Sequence, residues 1–254
     1  MNQDDYVIKI AKKYHIQSSV DIDTQNTIIS PLRSLISQWA GTCLNDIQLS
    51  GSRAKGTAIS LSSDLDLFVS LKSTTSNSLS ELYNSLYHHV TQAGYKARKQ
   101  NVSIGINIGD KQIDLVPAKK RSGNTNYHSL YLSKQKTWTQ TNITEHINIV
   151  RRSDRITEIV LLKIWSKLHK LDFPSIYLEL IVIEALKGRN TNNSAENFLL
   201  ILNYIMDKFT DKKIIDPSNT NNIISNDLNK TEKEIIKNQA ISSRYQSSWG
   251  KIIW

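Results

Sequence analysis

The sequence is poor in the features that define disulfide-stabilised, membrane-spanning and zinc-binding proteins. Its 254 residues contain a single cysteine, Cys43, which excludes an internal disulfide and fits a reducing cytosol. No apolar run approaches the roughly 18 residues that indicate a membrane-spanning helix. The N-terminus lacks the charge order and apolar core of a secretory signal, and no internal repeat or zinc-ligand spacing is present. We therefore expect a cytoplasmic protein without a membrane anchor.

Acidic residues are scarce in the middle of the chain. Residues 118–170 contain eleven Lys and Arg against three Asp and Glu, whereas the net charge of the whole chain is +9. A basic surface of this kind attracts nucleoside triphosphates or the backbone of an RNA or DNA acceptor. The alternative is a solvated basic face that only aids solubility.

The most informative stretch is residues 49–69, LSGSRAKGTAISLSSDLDLFV. It predicts a strand end, a tight turn at Gly51-Ser52 and a second strand. Backbone N–H groups in such a turn can approach a phosphate closely. In the second strand, Asp64 and Asp66 alternate with leucines, which places both carboxylates on one face. Because adjacent carboxylates repel each other, a divalent cation between them would be stabilising, and hard oxygen ligands select Mg²⁺ or Mn²⁺.

A third carboxylate lies in the short apolar run IDLVPA, which begins at Ile113. If this strand pairs beside residues 64–69, Asp114 joins the face of the other two aspartates. Three carboxylates can hold two Mg²⁺ ions about 4 Å apart, which clamps the attacking and leaving oxygens in phosphoryl transfer. A lone D-x-D or a lone Gly-Ser turn is a weak signal, so the prediction depends on their combination.

The combined string G-S-x-A-K-G-T…D-L-D-L-F-V, followed by I-D-L-V-P-A, resembles the polymerase-beta-like nucleotidyltransferase superfamily. It is most similar to the branch that contains 2′-5′-oligoadenylate synthetases, archaeal CCA-adding enzymes and the bacterial cyclic-oligonucleotide synthases related to cyclic GMP-AMP synthase. Gly51, Ser52, Asp64, Asp66 and Asp114 match that family's motif positions. The resemblance implies that the aspartates bind two Mg²⁺ or Mn²⁺ ions, and that Gly51 and Ser52 hold the triphosphate of a nucleotide such as ATP.

Two further candidate phosphate ligands lie in the second half of the chain. Residues 153–170 predict a helix in which Lys163 stands between two apolar residues. Such a lysine either lies along the surface or reaches a phosphate as a point charge. The resemblance implies the second role, because the family's second lobe supplies a lysine from such a helix. Ser175 matches a serine that touches the phosphates in relatives, whereas Tyr177 is one position away from the expected base-stacking aromatic residue.

Two weaker matches lie outside these motifs. The stretch from Trp138 to His146 resembles W-x-x-T-(D/N)-P-x-x-H of the bacterial cyclic-oligonucleotide synthases, with Ile143 in place of the proline. The segment that begins at Asp216-Pro217 is similar to D-P-x-x-P-x-N-N near the end of the same proteins. We expect His146 to be structural, because phosphoryl transfer on two metals does not need it.

The hydrophobic patterns predict an α+β protein. The resemblance implies a two-lobed nucleotidyltransferase fold, with a mixed sheet and helices in a catalytic domain (residues 1–150), a helical nucleotide-binding lobe (residues 151–254) and a substrate cleft between them. Residues 122–141 predict loops and a short hairpin. Helices are predicted at residues 2–15, 20–40, 78–93, 153–170 and 194–209, and strands at residues 95–99, 102–108 and 111–117.

These features predict a template-independent nucleotidyltransferase that joins nucleoside triphosphates and releases pyrophosphate. The resemblance favours synthesis of a cyclic or linear oligonucleotide signal in bacterial antiviral defence, with an effector protein encoded nearby. One alternative enzyme adds nucleotides to the 3′ end of RNA, such as tRNA, or of DNA, or transfers a nucleotide to a protein. A further alternative, an inactive nucleotide-binding module, is disfavoured by the three retained carboxylates.

Overall fold

The computed structural model describes residues 2–16, 20–62, 64–123, 125–189 and 192–254. The chain forms two compact units, each interrupted in sequence. The sheet unit comprises Gln17–Ala54 and Ser63–Glu145, and the helical unit comprises Met1–Ile16, Lys55–Ser62 and His146–Trp254. The chain therefore passes between the units four times. The functional division at residue 150 stays a prediction.

One mixed sheet organises the sheet unit. Its strands are β1 (Leu44–Leu49), β2 (Leu65–Leu71), β3 (Ala97–Lys99), β4 (Ile104–Ile108), β5 (Lys111–Lys120), β6 (His128–Leu132) and β7 (Thr137–Thr141). The strand order is β1-β2-β5-β4-β3, with β6 paired to β5 and β7 paired to β6. The β2–β5 pair is parallel and the other pairs are antiparallel. The predicted hairpin at residues 122–141 is thus an extension of the sheet by two strands.

Helices cover one face of this sheet. They are a π-helical segment (Gln25–Ile29), α3 (Ser30–Ala40) and α5 (Leu79–Gln92), and the short α2 (Ile22–Thr24) precedes the π-helical segment. Helical backbone continues through Pro31, and the helix changes from the π-helical segment to α3 at Ser30, directly before this proline. A capping box of Ser78 and Glu81 begins α5. Leu67 and Leu115 pack with Ile36 and Leu86 in the core.

Helices also build the other unit, around a core that includes the N-terminal helix. Two of these helices, α7 (Ile156–Leu168) and α8 (Ser175–Ala185), are buried nearly all round, which explains why their sequences are apolar on every side. The helices are α1 (Gln3–Tyr14), α7 (Ile156–Leu168), α8 (Ser175–Ala185), α9 (Ser194–Asp207) and α10 (Lys230–Arg244). Two helices, α4 (Gly51–Lys55) and α6 (Ile143–Arg151), lie where the chain leaves the sheet unit.

The observed elements confirm the predicted α+β class and the mixed sheet. The predicted helix at residues 153–170 is shorter at both ends, because residues 153–155 do not adopt helical structure and α7 ends at Leu168. Among the described residues, we find no helix with the length and apolar character needed to cross a bilayer.

Candidate active site

Two predicted metal ligands lie side by side on neighbouring strands. Asp66 on β2 and Asp114 on β5 are directly paired in the parallel register, so their backbones are about 4.8 Å apart. Both residues are half-buried. Their side chains point away from the helix-covered face, because Leu65, Leu67, Ile113 and Leu115 occupy that face. The predicted pairing of these strands is correct.

Asp114 lies in a partly enclosed polar environment. Its carboxylate accepts hydrogen bonds from Gln100 Nε2 at 3.1 Å and from Ser103 Oγ at 3.3 Å. Burial and the negative charge of Asp64 raise the pKa of Asp114 above its ordinary value. Asp64 precedes β2 instead of lying within it, because the ladder with β5 begins at Leu65. Its charge nevertheless acts on Asp114.

Gly51 packs tightly against Asp66. The predicted turn at Gly51-Ser52 is the first turn of α4, and the N–H of Ala54 donates to Ser50 O at 3.3 Å. Gly51 has a φ of +59°, and a Cβ at this position would lie 2.6 Å from Asp66 Cγ and closer still to Oδ2. Only glycine satisfies both the backbone angle and this approach. Ser50 N also donates to Asp66 O at 2.9 Å, which fixes the turn beside the strand.

The donor chemistry of this face fits hard divalent cations. Asp64, Asp66 and Asp114 offer carboxylate oxygens, which Mg²⁺ and Mn²⁺ prefer. In the described part of the chain, no three acidic, histidine or cysteine side chains converge as a metal-ligand set. The register pair of Asp66 and Asp114 is therefore the part of the predicted site that the structure brings together.

A second group of charges is buried in the helical unit. We call Lys55, Thr57, Lys163 and Glu179 the buried charge cluster. Glu179 Oε2 accepts from Lys55 Nζ at 2.7 Å, and its Oε1 accepts from Lys163 Nζ at 2.7 Å and from Thr57 Oγ1 at 3.0 Å. Lys163 Nζ also donates to Thr57 at 2.9 Å.

Glu179 is ionised at the centre of this cluster. It is fully buried. Burial opposes its ionisation, but the charges and hydrogen bonds of Lys55 and Lys163 hold its pKa well below the usual range, at about 2. Lys163 does not lie along the surface, because its ammonium group is buried and paired with Glu179. Its role at a phosphate stays a prediction. The sequence analysis identified Lys163 but missed Lys55, Thr57 and Glu179.

Residues 1–153 match the family model described as the Second Messenger Oligonucleotide or Dinucleotide Synthetase domain. The match covers more than half of the chain. The chain belongs to this family. It is accordingly a nucleotidyltransferase of the polymerase-beta-like superfamily, of the kind that makes cyclic oligonucleotide signals in bacterial defence.

Solved structures with low sequence identity share the fold of this synthetase. CdnC from E. coli MS115-1, in its HORMA-deltaN complex, is 18% identical, with a TM-score of 0.79 over 98% of this chain and 96% of that chain. CdnG from Bradyrhizobium diazoefficiens, with GTP, is 12% identical, with a TM-score of 0.78 over 98% and 94% of the chains. Cid1, with a UTP analogue, is 10% identical, with a TM-score of 0.66 over 97% and 94%. No curated protein matches the chain.

The remaining predicted residues of the synthetase have distinct surroundings. Ser175 is exposed at the first position of α8, directly after Pro174. Tyr177 is completely buried, and its ring stacks on Phe209 at 5.2 Å and meets Phe173 edge-on at 5.6 Å. Tyr177 is therefore a core residue of the helical unit.

His146 joins the two weaker motif segments of the synthetase. Its Nε2 lies 2.7 Å from Asp216 Oδ1 and 3.0 Å from Ser218 Oγ. Asp216 also accepts from Ser218 N at 2.8 Å and from Asn222 Nδ2 at 3.1 Å. Burial opposes the ionisation of Asp216, yet His146 and the hydrogen bonds from Ser218 hold the pKa of Asp216 at about 2. His146 thus links α6 to the Asp216 loop.

Proposed function

We propose that Asp64, Asp66 and Asp114 hold two Mg²⁺ or Mn²⁺ ions, and that the synthetase joins nucleoside triphosphates, ATP among them, without a template. The observation that carries this proposal is the register pair of Asp66 and Asp114, with Gly51 packed against Asp66. When bound, the ions activate the attacking hydroxyl and stabilise the leaving pyrophosphate.

The residues of the chain position the reactants around this pair. The backbone N–H groups of Gly51 and Ser52 bind phosphate oxygens, because the first turn of a helix presents N–H groups without intrahelical partners. Asp114 would ligate the metal ion nearest the attacking ribose hydroxyl and would assist the deprotonation of that hydroxyl.

Lys163 and Ser175 complete the proposed nucleotide-binding set from the helical unit. Ser175 is exposed at the start of α8, where its hydroxyl can donate to a phosphate oxygen. The buried charge cluster holds two lysines against one glutamate, so it carries an excess positive charge that favours a triphosphate.

The products we propose are cyclic or linear oligonucleotide signals, acting through a partner or effector protein. Extension of an RNA or DNA 3′ end is the second candidate, and the excess of Lys and Arg in residues 118–170 favours it. Transfer to a protein acceptor has no specific feature in its favour.

An incubation with α-³²P-labelled nucleoside triphosphates, with and without RNA and DNA oligonucleotides, tests the proposal. The product is treated with phosphatase and separated by thin-layer chromatography and on a gel. A phosphatase-resistant small product made without an oligonucleotide supports signal synthesis, and a ladder on an added strand supports terminal transfer.

Variants of the carboxylates test the proposed roles. Asp66→Asn and Asp114→Asn should lower incorporation to background while leaving the far-UV circular dichroism unchanged. Asp110→Asn is the matched control, because Asp110 is exposed in the β4–β5 turn of the same sheet. Full activity in Asp66→Asn or Asp114→Asn would contradict the metal-binding proposal.

A further inference from the structure

An exposed aromatic and basic surface lies at one edge of the sheet unit. Trp138 on β7 is 54% exposed. The guanidinium group of Arg121 lies 5.7 Å from the centre of its indole ring, and Arg121 also donates to Gln140. We call Arg121, Trp138 and Gln140 the hairpin platform. It presents a flat ring with a stacked cation, a combination that binds unpaired bases.

The strand register places this platform on the face opposite the carboxylates. Trp138 pairs with Tyr131, and Tyr131 packs against Tyr83 of α5. Tyr131 and Trp138 are thus on the helix-covered side of the sheet, whereas Asp114 points to the other side. A ligand on the platform is therefore remote from the reacting atoms at Asp66 and Asp114.

The sequence around the hairpin platform contains basic residues but no acidic ones. Residues 115–144 contain five Lys and Arg and no Asp or Glu. Lys134 and Lys136 are exposed in the β6–β7 turn. Lys119 on β5 pairs with Ser129 on β6, and Ser129 pairs with Gln140 on β7, so Lys119 is on the same face of the sheet as Gln140. A run of cations beside an aromatic ring complements a phosphate backbone whose bases are unpaired.

We propose that the hairpin platform binds a single-stranded nucleic acid at a site separate from the position of the acceptor hydroxyl. One base stacks on Trp138, and Arg121, Lys134 and Lys136 contact its phosphates. The stacked base lies on the face of the sheet opposite Asp66 and Asp114, so the nucleotide on the platform is not the reacting 3′ end. The site goes beyond the proposed function and does not depend on it.

Fluorescence anisotropy with labelled oligo-uridine and oligo-thymidine of about 12 nucleotides tests the proposal, without triphosphates or divalent metal. Trp138→Ala should weaken binding about 5- to 150-fold, the range expected for one base stacked on an aromatic ring, and Trp138→Phe should retain most of the affinity. Arg121→Gln should weaken binding and reduce the slope of log affinity against log salt by about 0.7, the value for one phosphate contact.

Two kinds of control separate this site from general charge and from the reaction. Tyr245→Ala removes an aromatic residue that is 77% exposed in the helical unit, and Lys9→Gln removes an exposed lysine of α1; both should bind like the parent chain. Asp66→Asn and Asp114→Asn should also bind normally, because their side chains are on the opposite face. Oligonucleotide binding by these aspartate variants can be compared with the parent chain even if no nucleotide incorporation is detected. The binding proposal and the proposed function can therefore fail independently.

Three results would overturn the proposal. The first is no binding at 50 mM salt tighter than about 10⁻⁴ M, the level of non-specific association. The second is an equal effect of Trp138→Ala and Tyr245→Ala, with normal circular dichroism in both. The third is full competition by poly-glutamate, which would identify the surface as a general anion or acidic-peptide site.

Discussion

Replacing Glu179 with glutamine is expected to lower the free energy of unfolding of the helical unit by about 3 to 5 kcal/mol. Glutamine keeps the shape of the side chain but removes its charge. The ammonium groups of Lys55 and Lys163, both within 2.7 Å of the carboxylate, would then be buried without a counter-charge. A buried charge that loses its partner retains its full desolvation cost.

The pKa of Glu179 supports a similar magnitude. A shift from 4.5 in the unfolded chain to about 2 in the folded protein corresponds to about 3 kcal/mol at neutral pH. Because the folded pKa is lowered, this stabilisation is complete above pH 4.5. It is lost as the pH falls from 4.5 through 2, because below pH 2 the carboxylate is protonated in both states.

Urea denaturation followed by far-UV circular dichroism measures the effect. With a slope of about 3 kcal/mol per molar urea, the transition midpoint of Glu179→Gln should fall by about 1 M or more. Glu184→Gln is the matched control. Its partner Lys212 lies 2.6 Å away, but both side chains are more than one third exposed, so the loss should be below about 1 kcal/mol.

A midpoint in Glu179→Gln equal to that of Glu184→Gln would refute the reasoning, because it would show that Glu179 does not compensate the two lysines. A second variant tests the same point from the other side. Combining Glu179→Leu with Lys55→Met and Lys163→Met removes all three charges and should recover most of the lost stability, as hydrophobic replacements of buried ion pairs often do.

Gly51→Ala and Gly109→Ala should both lose about 1 to 2 kcal/mol of stability, since both glycines have a φ near +60°. Only Gly51→Ala should abolish nucleotide incorporation, because its methyl group displaces Asp66, whereas open space surrounds Gly109; equal activities would contradict this. Burial lowers the pKa of His128 below 6.5, so the unfolded chain binds the proton first as the pH falls. The melting temperature should therefore fall as the pH is lowered below 6.5, and the fall should be smaller in His128→Asn. An equal fall in His128→Asn and in the parent chain would contradict this role of His128.

Local patterns predicted the carboxylate pair because strand geometry leaves few choices. Alternation around Asp66 determines which face its side chain occupies, and the apolar run around Asp114 requires a buried strand. The register that places these two residues opposite each other depends on a parallel pairing across 48 positions of sequence, which no local pattern contains and which the sequence analysis stated only as a condition. The start of β2 after Asp64 could not be predicted, because element boundaries depend on tertiary pairing.

The buried charge cluster was missed for a different reason. Each of its three charged members looked like an isolated charge in the sequence, because hydrophobic periodicity describes one helix at a time. A signal was present, since Lys163 and Glu179 each interrupt a helix that is apolar on every side. Charged side chains are almost never fully buried unless paired, so two such interruptions predict that the two helices share an ion pair. Lys55 had no comparable signal.

The four passages of the chain between the units determine how the protein can be divided. A single cut after residue 145 leaves α1 and residues 55–62 on one fragment and the rest of the helical unit on the other. The second fragment then lacks Val7, Ile10 and Ala11 of its own core, together with Lys55 and Thr57. Neither unit can be expressed as one uninterrupted piece, so truncation is a poor way to dissect this synthetase. Its two halves are inseparable as genetic segments, and point substitutions are the appropriate means to study each of them.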